Sequence, residues 1–473
     1  MPTSDRQPVV RPAASQHPPD RPEDHTPTAG MTAPDRPTSR YAWYVVAVLT
    51  LANVAGFVDR QILSLLVVPI ERDLRITDVQ MSYLIGLSFT VLYTLAGLPI
   101  ARLADRANRR NIMAAGVGLW SLFTALCGVA QTYGRLALMR VGVGVGEASL
   151  AAPGISLLSD YFPRDRLGRA MSVYGLGIFL GSGLAYVIGG ALVGVVAEQA
   201  RWHWPIVGAI RPWQSAFVLV GAPGFLIAAL FFTVREPRRG GQSRGAGGAE
   251  SRPASIRALV DYVLANRRTF ITISFGFALS ATVNYGIAAW LATFLIRTYG
   301  WTAARAGLVQ GVLTMTVGVV GVLSGGWATD ALVRRGRADG ALRVGIIGAA
   351  GMLVSASAYP LMPTAGLCVA WLVAVNFFAA FPWGAASAAV AQMTPPELRA
   401  QGAALYFVVL SLVSATLGPS AVAWIASLAF RDHNALGYAL VVVNLAGMLG
   451  AGALLLAGLP AFRQTAGRGS TSD

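Results

Sequence analysis

Long apolar stretches separated by short polar ones recur between residues 42 and 460 of the chain. Each stretch is long enough to cross a bilayer core of ~30 Å, which takes about 20 residues in a helix. The pattern therefore predicts an all-α membrane protein. Its twelve membrane-spanning helices, spans 1 to 12, are predicted at 42–69, 81–102, 112–131, 135–159, 169–195, 214–234, 270–297, 303–328, 344–362, 364–393, 401–428 and 437–460.

Composition agrees with this pattern, because 55% of the residues are apolar and only 12% are charged, against about 25% charged in soluble domains. All 37 basic residues are arginines, and 27 of them lie on the cytoplasmic side if residue 1 is cytoplasmic, against 8 on the other side. This bias predicts cytoplasmic termini in an inner or plasma membrane. It also accounts for the net charge of +15 without nucleic acid.

An internal repeat divides the spans into two groups of six. The segment "LADRANRR" follows span 2, and "WATDALVRR" follows span 8 at an offset of 225 residues. Both segments place two arginines four and five residues after an aspartate. The matched residues are Asp105, Arg109 and Arg110 in the first copy and Asp330, Arg334 and Arg335 in the second. The repeat predicts two pseudo-symmetric six-helix bundles.

The composition of the connecting segments sets the predicted domain boundaries. Residues 1–40 are polar and Pro-rich, which predicts a disordered cytoplasmic tail. The bundles occupy 41–235 and 269–460, joined by a cytoplasmic linker at 236–268 whose "SIRALVDYV" predicts a short amphipathic helix. Residues 461–473 form a cytoplasmic C-terminal tail, and the loop at 198–214 has no assigned role.

Two acidic residues, Asp59 and Glu147, fall well inside predicted spans. A charge at mid-bilayer costs ~2.5 to 3.5 kcal/mol even on lenient scales, so such groups need partners. Counting at 1.5 Å per residue places them about 15 and 18 Å from the outer surface. Arg140 lies two turns before Glu147 on the same face of span 4. Arg60, rotated by about 100° from Asp59, either reaches the interface or bonds span 1 to a neighbour.

Burial and neighbouring charges control when such carboxylates hold a proton. We therefore interpret Asp59 and Glu147 as proton-coupling residues, with Arg140 and Arg60 as charges for substrate or gating. A static ion-pair network that only fixes helix packing is the alternative. All four histidines lie in tails or loops, so the carboxylates are the candidates for proton transfer within the spans.

The C-terminal half carries neutral polar and aromatic side chains where the N-terminal half carries charges. Its candidate cavity residues are Asn284, Tyr285, Asn376, Phe377 and Phe381. Phe377 and Phe381 share one stripe of span 10. One charged wall and one aromatic wall suit an amphipathic molecule with an anionic head and an apolar tail.

Two six-helix halves in parallel repeat are the architecture of the major facilitator superfamily. The segment "ARLADRANRR" resembles that superfamily's loop between its second and third helices, although Ala101 and Asn108 replace usual glycines. The resemblance implies the major facilitator fold, and a cytoplasmic gate formed by the two repeated Asp and Arg-Arg segments. Topology determination alone is the alternative role for these segments.

Within the superfamily, "FVDRQILSLLV" and "RVGVGVGEA" resemble the Spinster branch over residues 41–460. This resemblance implies proton-linked movement of a lysophospholipid or sphingoid lipid, with Asp59 and Glu147 as the protonation pair. Arg140 would then link that pair to gating or to an anionic headgroup.

No catalytic constellation, metal-ligand cluster or nucleotide motif appears in the sequence, so we expect neither an enzyme nor a metal or other cofactor. The predicted partners are an amphipathic lipid, protons and membrane lipids, with no nucleic acid, and the chain is expected to be a monomer. Two alternatives remain. One is a proton-linked porter of a small organic anion or drug-like compound, and the other is a receptor or scaffold without transport.

Overall fold

A computed structural model describes residues 39–162, 164–197, 202–204, 208–237, 256–395, 397–430 and 435–469. These residues are almost entirely helical, as predicted. Eleven helices are long and apolar enough to cross a membrane. The helix Arg109–Cys127 lies between two of them and supplies the remaining span.

The first six spans are built from nine helices. They are α1 (Ser39–Leu65), α2 (Val67–Leu74), α3 (Asp78–Ile85), α4 (Leu87–Ala104), α5 (Arg109–Cys127), α6 (Tyr133–Glu147), α7 (Ala151–Tyr161), α8 (Arg164–Ala197) and α9 (Pro212–Phe231). Span 2 consists of α3 and α4, and span 4 consists of α6 and α7. A two-stranded antiparallel hairpin, β1 (Trp202–Trp204) and β2 (Gly208–Ile210), lies between spans 5 and 6.

The other six spans follow a short connecting helix. The connecting helix is α10 (Ile256–Ala265). The spans after it are formed by α11 (Arg267–Tyr299), α12 (Ala303–Leu313), α13 (Val319–Arg334), α14 (Gly340–Ala358), α15 (Ala365–Ala380), α16 (Trp383–Met393), α17 (Arg399–Trp424) and α18 (Leu436–Gly469). Span 8 joins α12 to α13 through a π-helical turn at Thr314–Gly318, and span 10 consists of α15 and α16. A 3₁₀ turn at Tyr359–Leu361 ends span 9, and a π-helical turn at Ile425–Phe430 ends span 11.

Threonines begin several spans at matching places in the two halves. Thr77 and Thr302, 225 residues apart, cap α3 and α12 by accepting from the backbone N–H three residues on. Thr132 and Thr364 cap α6 and α15 in the same way. A side-chain oxygen at this position satisfies one of the orphan donors of the first turn. In both halves, helices therefore begin at matching positions of the sequence repeat.

The first span begins, and the last span ends, on the same side of the protein. We call this the near side and the opposite surface the far side. The two halves approach each other closely toward the far side. A Cβ at Gly311 would collide with the carbonyl oxygen of Gly183, and one at Gly86 would collide with that of Ala415. Such contacts between small residues allow membrane helices to pack backbone to backbone.

Candidate functional site

A buried ion pair joins spans 1 and 4 in the N-terminal half. Arg60 donates to Glu147 Oε2 from Nε at 2.6 Å and from Nη2 at 2.5 Å. The Glu147 side chain is 2% exposed, and that of Arg60 is 33% exposed. Gly56, one turn before Arg60, lies next to the pair, since a Cβ there would be in van der Waals contact with Glu147 Oε2 at 3.5 Å. Arg60 therefore bonds span 1 to span 4.

Asp59 and Arg140 lie beside this pair and are as deeply buried as Glu147. Arg140 Nη1 donates to the backbone carbonyl of Asp59 at 3.4 Å. Within the described part of the chain, Asp59 Oδ1, Glu147 Oε1 and Arg140 Nε have no hydrogen-bond partner. The structure thus brings together the four charged residues predicted from the sequence. Arg60 binds the Glu147 carboxylate, and Arg140 binds the backbone carbonyl of Asp59.

An aromatic box encloses the guanidinium groups of this cluster. The Arg60 guanidinium lies 4.8 Å from the Phe89 ring centroid, 5.2 Å from that of Tyr93 and 5.5 Å from that of Phe57. Arg140 lies 5.6 Å from the same Phe89 ring. Cation–π attraction stabilises a partly desolvated arginine by up to about 2 kcal/mol. Arg60 therefore keeps a favourable environment even if Glu147 becomes neutral.

With all four groups ionised, the two carboxylates and two guanidinium groups carry no net charge. Each carboxylate still has one oxygen free to accept a proton. A proton on Glu147 would weaken its charge-assisted bonds to Arg60, which are about twice as strong as neutral ones. Protonation of Glu147 would therefore weaken the contact between span 1 and span 4.

A cavity of about 290 Å³ lies between the two halves, beside this cluster. Phe57, whose ring faces Arg60, also lines the cavity. The described lining contains no charged side chain, and its aromatic residues come from both halves: Phe57, Phe179, Tyr186, Phe277, Tyr285, Trp383, Tyr406 and Phe407. An apolar chamber with few polar groups is typical of small-molecule sites.

Three of the five predicted C-terminal candidates line this cavity, namely Asn284, Tyr285 and Asn376. Phe377 and Phe381 do not appear in its lining. Their rings pack against one another, with centroids 5.6 Å apart, and their backbones contact the glycines of span 8. The stripe on span 10 therefore faces a neighbouring helix, which is the common fate of aromatic stripes in membrane helices.

The sequence reasoning missed the aromatic residue of span 10 that does reach the cavity. Trp383 follows Pro382, at the point where α15 gives way to α16, and it meets Phe179 of span 5 edge-on at 5.6 Å. At about 100° per residue, a helix places Trp383 about 200° around its axis from Phe381, so Trp383 lies off the stripe that contains Phe377 and Phe381. The signal available in the sequence was this spacing of two residues.

On the near side, Arg109 of the predicted gate segment is buried in an ion-pair cluster. It contacts Glu236 Oε1 at 2.7 Å and Asp160 Oδ2 at 2.6 Å. These bonds tie the start of span 3 to the ends of spans 4 and 6, all within the N-terminal half. Arg110 binds the same Glu236 through its backbone N–H at 3.1 Å, while the Asp105 side chain is exposed at the end of α4.

The second copy of the segment is placed differently, since Asp330, Arg334 and Arg335 are all exposed. The buried acid of the C-terminal half is Asp339, which begins span 9. It accepts from Arg343 Nε at 3.0 Å and from Arg463 Nη2 at 2.6 Å. An acid of span 9 thus binds an arginine of span 12, whereas an arginine of span 3 binds an acid after span 6. The two halves therefore have ion pairs at matching places, with the acidic and basic partners exchanged between the helices.

Asp339→Asn is expected to lower the melting temperature of the purified protein by about 2 to 4 °C, because each half-exposed ion pair contributes up to ~1 kcal/mol. Burial raises the pKa of Asp339, but hydrogen bonds from Arg343 and Arg463 outweigh it and hold the pKa below its ordinary 3.8. The stabilisation is therefore present above that value and lost as the pH falls below it. Asp330→Asn, at an exposed site, is the matched control and should melt like the wild type; equal melting of both variants would contradict the assignment.

Residues 49–419 of the sequence match the family model of the Major Facilitator Superfamily. The chain belongs to the major facilitator superfamily. The twelve-helix fold predicted from the sequence is consistent with this family and is confirmed.

Similar proteins include transporters of this superfamily from bacteria and animals. An MFS-type efflux pump of Mycolicibacterium smegmatis is 29% identical over 86% of this chain and 90% of its own length. Protein spinster homolog 1 of Bos taurus is 31% identical over 60% of this chain and 54% of its own length. The chain spans about half the length of the spinster proteins that it matches.

Among solved structures, a bacterial homolog to the human lysosomal transporter Spinster, in an inward-facing and unoccupied conformation, is similar with a TM-score of 0.76. It is 26% identical, and the match covers 92% of this chain and 99% of that one. The predicted Spinster-like character of this superfamily member is confirmed by these matches. It is a transporter rather than an enzyme, as the sequence predicted.

A second charged cluster of this transporter lies at the far side and joins the two halves. Arg297, at the end of span 7, binds Glu71 Oε2 at 2.6 Å and Asp78 Oδ1 at 2.9 Å. Glu71 lies in α2 and Asp78 begins span 2, so both acids belong to the N-terminal half. Nearby, the hydroxyls of Ser82 and Ser420 are 3.4 Å apart across the same boundary. We call Glu71, Asp78 and Arg297 the far-side latch.

Proposed function

We propose that this protein is a proton-coupled secondary transporter that moves an amphipathic lipid, such as a lysophospholipid or sphingoid lipid, by alternating access. The observation that carries the proposal is the buried ion pair between Arg60 and Glu147, with Asp59 beside it, at the wall of an aromatic cavity between the halves. Protonatable acids inside a membrane bundle mark ion or substrate pathways by default.

The contrast between the charged side chains beside the cavity and its uncharged lining supports an amphipathic substrate. Its charged neighbour Arg60 belongs to span 1 and contacts the lining residue Phe57, while its described lining is apolar, aromatic or neutral and polar. An anionic head would approach Arg60 as an apolar tail contacts the rings. The similarity to a bacterial homolog of the lysosomal transporter Spinster supports transport as the function.

The position of the contacts between the halves supports an inward-facing state. The latch, the hydroxyls of Ser82 and Ser420, and the close approach of Gly311 to Gly183 all lie toward the far side. With the near side cytoplasmic, as the arginine distribution predicts, the cavity would receive substrate from the cytoplasm. Alternating access then requires these far-side contacts to open.

A proton-linked porter of a small organic anion or drug-like compound is the second candidate. It is favoured by the 29% identity to an MFS-type efflux pump over 86% of this chain. The cavity volume of about 290 Å³ would also hold a compact molecule. A receptor or scaffold without transport is disfavoured, because that role has no use for paired charges buried beside a cavity.

Transport by purified protein in liposomes distinguishes these candidates. Under an imposed pH gradient we expect a fluorescent lysophospholipid or a phosphorylated sphingoid lipid to cross faster than in empty liposomes, and a protonophore to remove the acceleration. Gluconate and ethidium, as a small anion and a drug-like cation, should cross at the background rate. Movement of either of these without the lipids would replace the lipid proposal with the porter.

A further inference from the structure

The C-terminal wall of the cavity carries a neutral polar group of three side chains from two spans. Gln310 and Thr314 lie one turn apart on span 8, and Asn376 faces them from span 10; all three line the cavity. Thr314 Oγ1 donates to the backbone carbonyl of Gln310 at 2.8 Å and lies 3.4 Å from Asn376 Oδ1. Asn376 Nδ2 donates to the Leu372 carbonyl at 2.9 Å.

One acceptor in this group is left over. Gln310 is only 6% exposed, and its Oε1 has no hydrogen-bond partner among the described residues. A buried polar atom without a partner costs about 1 to 3 kcal/mol. Thr314 and Asn376 bond to backbone carbonyls and to each other, as residues that only fix helix packing would. Gln310 does not follow this pattern, since its oxygen is buried at a cavity wall and unpaired.

The backbone of span 8 changes at the same place. The helix is α-helical up to Leu313 and then forms a π-helical turn at Thr314–Gly318. A π-turn is wider than an α-turn, so it offsets the rotation that an α-helix accumulates between residues four apart. Gln310, Thr314 and Gly318 accordingly all line the cavity. Such turns inside α-helices are frequent at functional sites.

We propose that Gln310, Thr314 and Asn376 form a subsite that hydrogen-bonds an uncharged hydroxyl or amide group of the transported molecule. The inference rests on the proposed function, in that the cavity is taken to hold the substrate. A neutral donor is the matching chemistry, because the free group is an amide oxygen and the described lining has no charge.

The subsite lies across the cavity from the charged cluster. Arg60 and Glu147 belong to spans 1 and 4, whereas Gln310 and Asn376 belong to spans 8 and 10. A molecule with a charged head and a nearby hydroxyl could therefore contact both halves at once. An uncharged amphipath would use the subsite alone, which allows the two sites to be tested separately.

The test compares two uncharged probes, 1-O-dodecylglycerol and its dimethyl ether, which keeps the oxygens but has no hydroxyl donor. Binding is measured on the full-length protein in nanodiscs. One hydrogen bond predicts that the wild type binds the diol about 5- to 10-fold more tightly than the ether. Gln310→Met should bind both probes with the weaker affinity. Gln61→Met, on the opposite wall of the cavity, is the matched control and should retain the preference.

Equal binding of the two probes to the wild type, or no binding of either, would overturn the subsite, as would a preference that persists in Gln310→Met. Asn376→Leu provides a second test if Gln310→Met fails to fold, and it too should reduce the preference. A diol preference in a protein that moves no lysophospholipid in liposomes would leave the subsite standing and remove the lipid proposal.

Discussion

Glu147→Gln is expected to abolish transport driven by a pH gradient, with at least a ~100-fold loss, while the protein remains folded. Glu147 is buried and accepts two charge-assisted bonds from Arg60. Glutamine keeps the size of the side chain but can neither take up nor release a proton. It also removes the charge that holds Arg60, so the switch between paired and released states is lost. Substrate flux into liposomes, measured with and without the gradient, gives the result.

Asp59→Asn should cause the same loss, because it removes the second proton-accepting group of the cluster. The matched control is Glu397→Gln, at an exposed acid between spans 10 and 11, which should transport like the wild type. Exchange of substrate without a gradient separates coupling from binding. Wild-type proton dependence in both buried variants would refute the coupling role of the cluster.

Arg60→Ala is expected to impair transport as well, but through position rather than protonation. The variant leaves the buried Glu147 without its partner. Because Arg60 is 33% exposed, the cost should be below the ~3 to 5 kcal/mol of a fully buried pair. Arg60→Lys keeps the charge but not the two bonds that Nε and Nη2 make to Glu147, so it should rescue only in part. Full activity of Arg60→Ala would contradict its place in the cluster.

The spans could be predicted from the sequence because burial in lipid demands long apolar helices, whatever the tertiary contacts. Most of their ends agree with the structure within a few residues, as in span 7, predicted at 270–297 and found at Arg267–Tyr299. The exceptions are the end of span 8, predicted at 328 and found at Arg334, and the end of span 12, predicted at 460 and found at Gly469, inside the predicted C-terminal tail. The depth of Asp59 and Glu147 followed from counting residues along a helix. The depth of a residue in the membrane depends on its position along one helix, and that position can be counted from the sequence.

Which of these charges bind each other could not be predicted by counting residues along a helix. Arg60 and Arg140 lie at suitable depths, and only the rotation and separation of spans 1 and 4 decide that Arg60 binds Glu147. The same holds for Asp339, whose partner Arg463 lies 124 residues away. The internal repeat pointed to Asp330 instead, because it records matching segments and not which acid faces the neighbouring helix.

The far-side latch has a composition that makes it sensitive to pH. Two carboxylates, Glu71 and Asp78, share the single guanidinium of Arg297, so the fully ionised cluster has an excess negative charge. Burial, together with the adjacent Asp78, raises the pKa of Glu71 above its ordinary 4.5, and Arg297 opposes this only in part. Closure of the far side therefore favours a protonated Glu71, whereas opening returns this acid to water.

The raised pKa of Glu71 determines how the opening of the far side depends on pH. Above the ordinary pKa of 4.5 the open state has lost the Glu71 proton that the closed state still holds, so opening releases a proton. Raising the pH from there toward the raised pKa should favour opening, by at most about tenfold per pH unit. Below pH 4.5 both states hold the proton, and the dependence should vanish.

A disulfide between Ser82→Cys and Ser420→Cys would report far-side closure, since the two hydroxyls are 3.4 Å apart. With Cys127 and Cys368 replaced by alanine, the cross-linking yield, normalised for thiolate reactivity, should fall as the pH rises from 5 to 8. Glu71→Gln, which behaves as a permanently protonated acid, should cross-link efficiently at every pH. Arg297→Ala should cross-link poorly throughout, because the halves lose the cation that joins them.

Arg305→Ala is the control for loss of a far-side arginine, since Arg305 is exposed and stacks on Trp301 of its own half. It should leave both the yield and its pH dependence unchanged. A pH dependence that survives in Glu71→Gln would assign the proton to another group. A dependence that disappears there would mean that the far side responds to protons through Glu71, and its persistence in Glu147→Gln would show that this response does not require Glu147. The protein would then bind protons at the contacts that close the far side as well as at the cluster beside the cavity.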